Sequence, residues 1–368
     1  VAAEIALAVM LVTGAGVLLA TFQRLQHVDL GFRVGHVLTF EVHLPTVRYD
    51  AVRRASFQED LAGRLQAIPG VTAAGGISRL PATGSYHPWN ARIRTGPLAG
   101  TAIDKTRFML QQRVVSGDVV GPLGIPILAG RTFDASDDAS APGRTVVSAN
   151  FARVAFPGVP YDGVLGQRVY VPIREAELEI IGIAGDVALD VYGAPTMIVY
   201  HAHRQFARNR NWALTQVVAT ERSSEEMLSA VRAEVALVDP ELVVHRPTSM
   251  SDVVGRSTSR ERFALVLMGT FAVIALALAA LGLYGVLAYA VSQRAAEIGI
   301  RLALGATAGQ VRALVFRQSA VVVGVGVTAG LGGAWVLGRW LDALAFGIAP
   351  LDPRMLVASA LVLAMPAL

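Results

Sequence analysis

Apolar and charged positions separate along this chain on two scales. At long range, four charge-poor stretches, at about residues 5–22, 263–291, 318–338 and 355–368, surround a polar region at about 24–262. Residues 263–293 carry no charge. Wound as a helix they reach about 46 Å, against about 30 Å of bilayer hydrocarbon. That is enough to cross a membrane and protrude on one side. The pattern predicts four transmembrane helices with a large polar domain between the first and the second. Val1 and Leu368 both lie inside apolar stretches, so the first and last spans are expected to be truncated. Residues 1–23 lack a basic n-region and a small-residue cleavage site, which argues against a signal peptide.

At short range, the polar region reads as mixed α/β. Residues 37–44 alternate as a strand; Phe57, Leu61, Leu65 and Ile68 then recur at helical spacing. Pro69-Gly70 ends that helix before a second strand at 71–77. A similar unit recurs late, with strands at 216–219 and 242–245. Between them Met227, Leu228, Val231, Val235 and Val238 line one helix face, which Pro240 ends. Two β-α-β ends, at about 36–80 and 214–255, therefore bracket a Gly- and Pro-punctuated, β-rich insertion at roughly 106–203. The fold class expected is an α+β membrane protein. Its domains are a first span at 1–23, a mixed α/β domain at 24–262 and a membrane domain at 263–368.

Composition supports the division: 53% of the 368 residues are hydrophobic and 16% charged, where globular chains carry about 25% charged. A net charge of +4 would permit nucleic-acid binding, but the Arg residues are scattered and Lys105 is the only lysine, so no nucleic-acid partner is expected. With no Cys, disulfides and thiolate metal sites are excluded. The loop at about 292–316 carries Arg294, Arg301, Arg312 and Arg317 against Glu297, while the next loop balances Arg339 and Arg354 with Asp342 and Asp352. The positive-inside rule makes the Arg-rich loop cytoplasmic and puts residues 24–262 on the far side.

Within that loop, Arg294, Glu297 and Arg301 stand at i,i+3 and i,i+4, and Ile298 and Leu302 fall on the opposite face. Gly305 is a natural helix stop, and Thr307-Ala308-Gly309-Gln310 fits a capping box for the next helix. Two short helices with a rigid polar face make a docking knob. The residues alone equally allow a connecting loop anchored to anionic headgroups.

The string from Gln293 to Ala306, with Arg294, Glu297, Ile298, Gly299, Arg301 and Gly305, resembles the signature of FtsX-like permeases, in particular MacB-type ABC transporter permeases. Further motifs are similar to that family's periplasmic core: Val28-Asp29-Leu30-Gly31-Phe32, Pro69-Gly70-Val71, Gly130-Arg131-Thr132-Phe133, Asn150-Phe151-Ala152, Phe156-Pro157-Gly158, Leu165-Gly166, Ile181-Gly182-Ile183, Gly185-Asp186-Val187 and Asp239-Pro240. The likeness is closest to the C-terminal half of duplicated orphan permeases. It implies a multi-pass protein of the bacterial inner membrane, with the 24–262 domain periplasmic. It also implies mechanotransmission: a separate cytoplasmic ABC ATPase grips the loop between spans two and three. The coupling positions carried over are Arg294, Glu297, Ile298, Gly299, Arg301, Gly305 and Ala306. Expected partners are that ATPase, a second permease unit in the same chain or another copy, membrane lipid, and a periplasmic adaptor with an outer-membrane channel. Efflux or export is the implied role; regulation of a periplasmic cell-wall hydrolase, lipoprotein extraction, or an anchored sensor without an ATPase stand as alternatives.

No catalytic residue, cofactor or metal is expected in this chain, ATP being bound by a partner. A P-loop needs Gly-Lys-Ser/Thr, whereas the lone lysine sits in Ile103-Asp104-Lys105-Thr106. Gly324-Val325-Gly326-Val327-Thr328-Ala329 matches a dinucleotide-binding pattern but lies inside a span, so close helix packing is expected, with Gly326 and Gly330 as a Gly-xxx-Gly pair. Asp134, Asp137 and Asp138 imitate a calcium loop, yet Ser136 and Thr145 occupy positions that need acids or amides, so a solvated turn is expected. His201 and His203 are expected as surface histidines without a third metal ligand. Arg204, Arg208 and Arg210, interleaved with Phe206 and Trp212, are expected in an exposed loop.

Overall fold

Two kinds of local sequence build two units: alternating strands and capped helices in Asp29–Thr258, and apolar, charge-poor helices among the described residues of Val1–Val28 with Ser259–Leu368. The computed structural model describes residues 2–26, 29–84, 90–103, 110–172, 176–189, 196–206, 214–293, 295–297, 300, 309, 321 and 323–336.

The chain opens with α1 (Ala2–Gln26), then β1 (Val37–Val42), α2 (Ala51–Ala67) and β2 (Val71–Ile77). The middle supplies β3 (Ala91–Ile93), β4 (Ala102–Ile103), β5 (Gln111–Gly117), β6 (Ile127–Gly130), β7 (Arg144–Ser148), α3 (Ala149–Ala155), α4 (Tyr161–Val164), β8 (Arg168–Val171), β9 (Ala176–Ala184) and β10 (Ile198–Ala202). Then come β11 (Thr215–Thr220), α5 (Ser224–Val238), β12 (Val244–Ser249), α6 (Met250–Ser257) and α7 (Ser259–Gln293); α8 is Val323–Val336.

In the first unit the two β-α-β segments, far apart in sequence, share one antiparallel patch in the order β12-β1-β11-β2. Helices α2 and α5 cover it, because each has one apolar face. Phe57, Leu61 and Leu65 from α2 meet Met227, Val231 and Val235 from α5 over Leu38, Phe40 and Val218. Caps fix where the helices start. The Asp50 side chain accepts from Arg53 N at 2.8 Å, and Ser223 Oγ accepts from Glu226 N at 3.3 Å.

The insertion continues the same sheet. β5 pairs with β2, and the ladder runs on through β10, β7, β9, β8, β3 and β4, with β6 beside β9, twelve strands among the described residues. β12 extends past the strand expected at 242–245 and includes Pro247. Proline cannot donate to a ladder, but β12 is an edge strand with β1 as its single neighbour, where that loss is tolerated.

The dispersed motifs converge here. Gly130 on β6 stands opposite Gly182 on β9, and a Cβ on Gly182 would lie 2.1 Å from Arg131 O. Both strings need glycine because the two backbones touch. Asp186 Oδ1 accepts from Asn150 N at 2.6 Å at the start of α3, and its Oδ2 accepts from Arg153 at 2.7 Å. Gly31, at φ 73°, presses against Asp186 O.

Candidate functional site: the long apolar helix and the segment after it

Helix α7 follows from composition: over its uncharged stretch no proline interrupts it and no side chain needs water. Its 35 residues reach about 52 Å. Phe263, Leu281, Tyr284 and Tyr289 are each about two-thirds exposed. Such exposure in water would forfeit roughly 1.5–3 kcal/mol per large apolar side chain; hydrocarbon removes that cost. Among the described residues α7 is the one helix long and apolar enough to cross a bilayer, and Ala2–Gly16 and Val323–Val336 are shorter apolar stretches. The span expected at 355–368 lies outside the described residues.

Within this unit α1 packs against both α7 and α8: Ile5, Ala8 and Val9 meet Ala275, Leu276 and Ala279 on one side and Val323, Val327 and Leu331 on the other. Glycine permits the approach. A Cβ on Gly326 would stand 2.8 Å from Ile5 Cβ, and one on Gly330 would stand 2.5 Å from Val9 Cβ and 2.7 Å from Ala6 O. Gly326, the second glycine of the dinucleotide-like pattern, thus faces a neighbouring helix, while Gly324 has nothing within 4 Å.

The segment after α7 is where the coupling positions were expected. Ala295, Ala296 and Glu297 are helical, with exposed side chains. Arg294, Ile298, Gly299, Arg301, Gly305 and Ala306 lie outside the described residues.

The sheet unit holds the remaining candidates. Asp137 is fully buried, its carboxylate receiving Arg131 Nη1 at 2.7 Å and Arg144 Nη1 at 2.6 Å. Burial pushes the Asp137 carboxyl up, but the hydrogen bonds from Arg131 and Arg144 outweigh it and hold it at about 2. Asp134 and Asp138 spend their Oδ1 atoms on Ser136 and Ser140 in local turns. The acidic string is thus an ion-paired corner. His201 and His203 depart from expectation: they are 0% and 2% exposed, not on the surface. The reason is position: His201 is in β10, which runs between β5 and β7 and is buried throughout, and His203, just after it, is still tied to β5 by its N–H to Val115 O at 2.7 Å. Arg204 leaves the loop reading too, pairing with Glu59 of α2. Arg208, Arg210 and Trp212 lie outside the described residues. Tyr49, which the sequence did not single out, donates to Asp239 Oδ2 at 2.6 Å; burial first, and then that bond, raise its hydroxyl to about 12.

Comparison with known proteins agrees with this arrangement. Residues 4–238 match the family model for the MacB-like periplasmic core domain, and residues 269–368 match that for the FtsX-like permease C-terminal. Curated relatives include the macrolide export ATP-binding/permease protein MacB 1/2 of Paracoccus denitrificans, 26% identical over 303 residues, covering 80% of this chain and 42% of the relative. MacB of Azoarcus sp. is 24% identical over 239 residues, covering 61% and 35%. The chain therefore spans less than half the length of these relatives. Among solved structures, the periplasmic region of MacB from Actinobacillus actinomycetemcomitans is similar with a TM-score of 0.40 at 10% identity, over 64% of this chain and 98% of that one. On the two family matches, over residues 4–238 and 269–368, the chain belongs to the MacB/FtsX-like ABC transporter permease family.

Proposed function

We propose that this chain is a permease subunit, or the permease part of a longer polypeptide, in a MacB-type ABC system of a bacterial inner membrane. It converts ATP hydrolysis elsewhere into movement of its periplasmic sheet unit, and so drives efflux or export. These 368 residues contain no P-loop, so the nucleotide site lies on a partner ATPase subunit or on another part of the polypeptide. That ATPase grips the helix-turn-helix formed by Arg294, Glu297, Ile298, Gly299, Arg301, Gly305 and Ala306.

One observation carries this reading: α7 runs without a break from Ser259, next to the last residue of the sheet unit, to Gln293, next to the first coupling position. A continuous hydrogen-bonded helix resists bending, so displacement imposed at one end reaches the other. The uncharged spans support a mechanical role, since a hydrophilic cargo would find no polar path through them. Purification of the full-length protein from native membranes, as wild type and as Glu297→Lys, tests it. An ABC ATPase that accompanies the wild type and is lost from the variant is the expected result. An ATPase retained by the variant, or absent from both, overturns the docking assignment.

A further inference from the structure

The sheet unit contains a cleft of about 320 Å³ that the proposed function leaves unused. Its floor is apolar, made by Leu80, Ala82 and Val253, and its rim carries Arg246 and Arg256. The sequence reading passed over both arginines.

Backbone geometry puts Arg246 there. Between the pairs Thr39↔Thr248 and Glu41↔His245, Phe40 alone stands opposite Arg246 and Pro247, a β-bulge. Arg246 sits at φ 47° and Ala82, across the cleft, at φ 58°. Only one other non-glycine residue among those described has positive φ, His36. Such conformations cost roughly 1–3 kcal/mol each and gather where a binding site demands them. Arg246 makes no hydrogen bond or ion pair among the described residues, and its side chain is exposed. Arg256 is held toward β12 by Thr248 Oγ1 at 2.6 Å.

The charges facing the cleft limit what it can hold. Glu41 is the carboxylate in the lining, and its Oε2 is bonded to His43 Nε2 at 3.1 Å. Asp252, on α6, receives Ser249 Oγ at 2.7 Å. Two guanidiniums against one lining carboxylate leave a single net positive charge, matched to a phosphodiester and poorly matched to a doubly charged free phosphate. The apolar floor adds a requirement for hydrocarbon beside the phosphate. Ser257 also lines the cleft. Five residues separate it from Phe263, where the apolar run of α7 begins, so six Cα–Cα steps, at most about 21 Å of chain, link the cleft to that run.

We propose that this cleft is a phospholipid headgroup site, with Arg246 and Arg256 on the phosphodiester and Leu80, Ala82 and Val253 against the glycerol and first methylenes. It lets the last strand and helix before α7 hold the bilayer surface. The assignment rests on α7 being a membrane span and does not depend on ATPase docking, so it can fail while the Glu297→Lys result stands.

Native mass spectrometry of the full-length protein in detergent tests it, with palmitoyl-oleoyl-phosphatidylethanolamine and inorganic phosphate titrated separately. The wild type is expected to bind one lipid more per chain than Arg246→Gly, whose affinity at this site falls about tenfold or more. Glycine adopts the left-handed backbone without strain, so the Tm of the variant is expected to hold or rise, which separates a lost site from a lost fold. Arg256→Gln is expected to weaken the same lipid. Equal lipid binding by wild type and Arg246→Gly overturns the proposal. Saturable binding of inorganic phosphate that displaces the lipid also overturns it, assigning the cleft to a soluble phosphate.

Discussion

The two units solve the same problem, holding helices and strands together, in different solvents. In the sheet unit Phe40, Leu61 and Val217 are at most 1% exposed, whereas in the helix unit Phe263 is 69% and Tyr284 72% exposed. The first is built by removing apolar surface from water. The second has no such drive in hydrocarbon and depends on fit between backbones, which is why its contacts run through Gly326 and Gly330. Buried charge divides the same way: the sheet unit accommodates Asp137 by pairing it with two arginines, while α7 carries no charge from Phe263 to Gln293.

Substituting glycines of α8 breaks this contrast most severely. Gly330→Ala drives a methyl group into Val9 and Ala6 O, with expected losses of about 3 kcal/mol. Gly332→Ala meets nothing within 4 Å and gains helix propensity, so it should be neutral or stabilising. Gly333→Ala falls between, because its obstacle is the flexible end of Met10. Thermal melting of the full-length protein in detergent reads the order. Equal effects at 330 and 332 would mean that α1 and α8 are not packed through these glycines.

The sheet unit has its own weak point, and pH exposes it. Asp137→Asn leaves Arg131 and Arg144 without their carboxylate, and the expected cost is about 2 kcal/mol at neutral pH, the arginines being partly solvated. Because the folded carboxyl titrates near 2, below its ordinary 3.8, this contribution is complete above about pH 4 and fades as pH falls toward 2. Wild type and variant should therefore converge in stability between pH 4 and 2. A gap that persists at pH 2 would assign the loss to packing instead of charge.

How far the sequence could be read follows the same division. The helical spacing of Phe57, Leu61 and Leu65 and the stop at Pro69 located α2, since one-sided burial leaves a period in the sequence. The lack of charge after Arg262 located α7. Gly326 and Gly330 pack as read, because an uncharged span leaves glycine little else to do, but Gly324, grouped with them, has nothing within 4 Å. What failed was burial by topology. His201 and His203 read as polar surface, and only strand order reveals that His201 sits in an interior strand with His203 directly after it. Pro247 masked the end of β12, because edge position is not written in local sequence. The coupling positions expected at 294–306 rest on a charge pattern and a resemblance, and a pattern of arginines fixes neither the turn nor what docks on it. Arg246 was missed because a bulge is set by register with a strand about 200 residues away.

The smallest effect separates stability from transmission. Ser223 and Ser249 are both N-caps, of α5 and α6, accepting from Glu226 N at 3.3 Å and Asp252 N at 3.1 Å. Loss of either cap should cost about 1 kcal/mol, Ser249→Ala also losing the bond to Asp252 Oδ2, so the two are compared at matched stability. They differ in place: α5 lies on the sheet within the unit, whereas α6 is the last helix before α7. If force passes along α7 into β12, loosening α6 wastes movement that loosening α5 does not. Ser249→Ala should then lower export driven by the co-purified ATPase in reconstituted vesicles, while Ser223→Ala at equal stability leaves it unchanged. Equal activity in the two variants would mean that motion enters the sheet unit by another route, with α1 and β1 as the remaining covalent path.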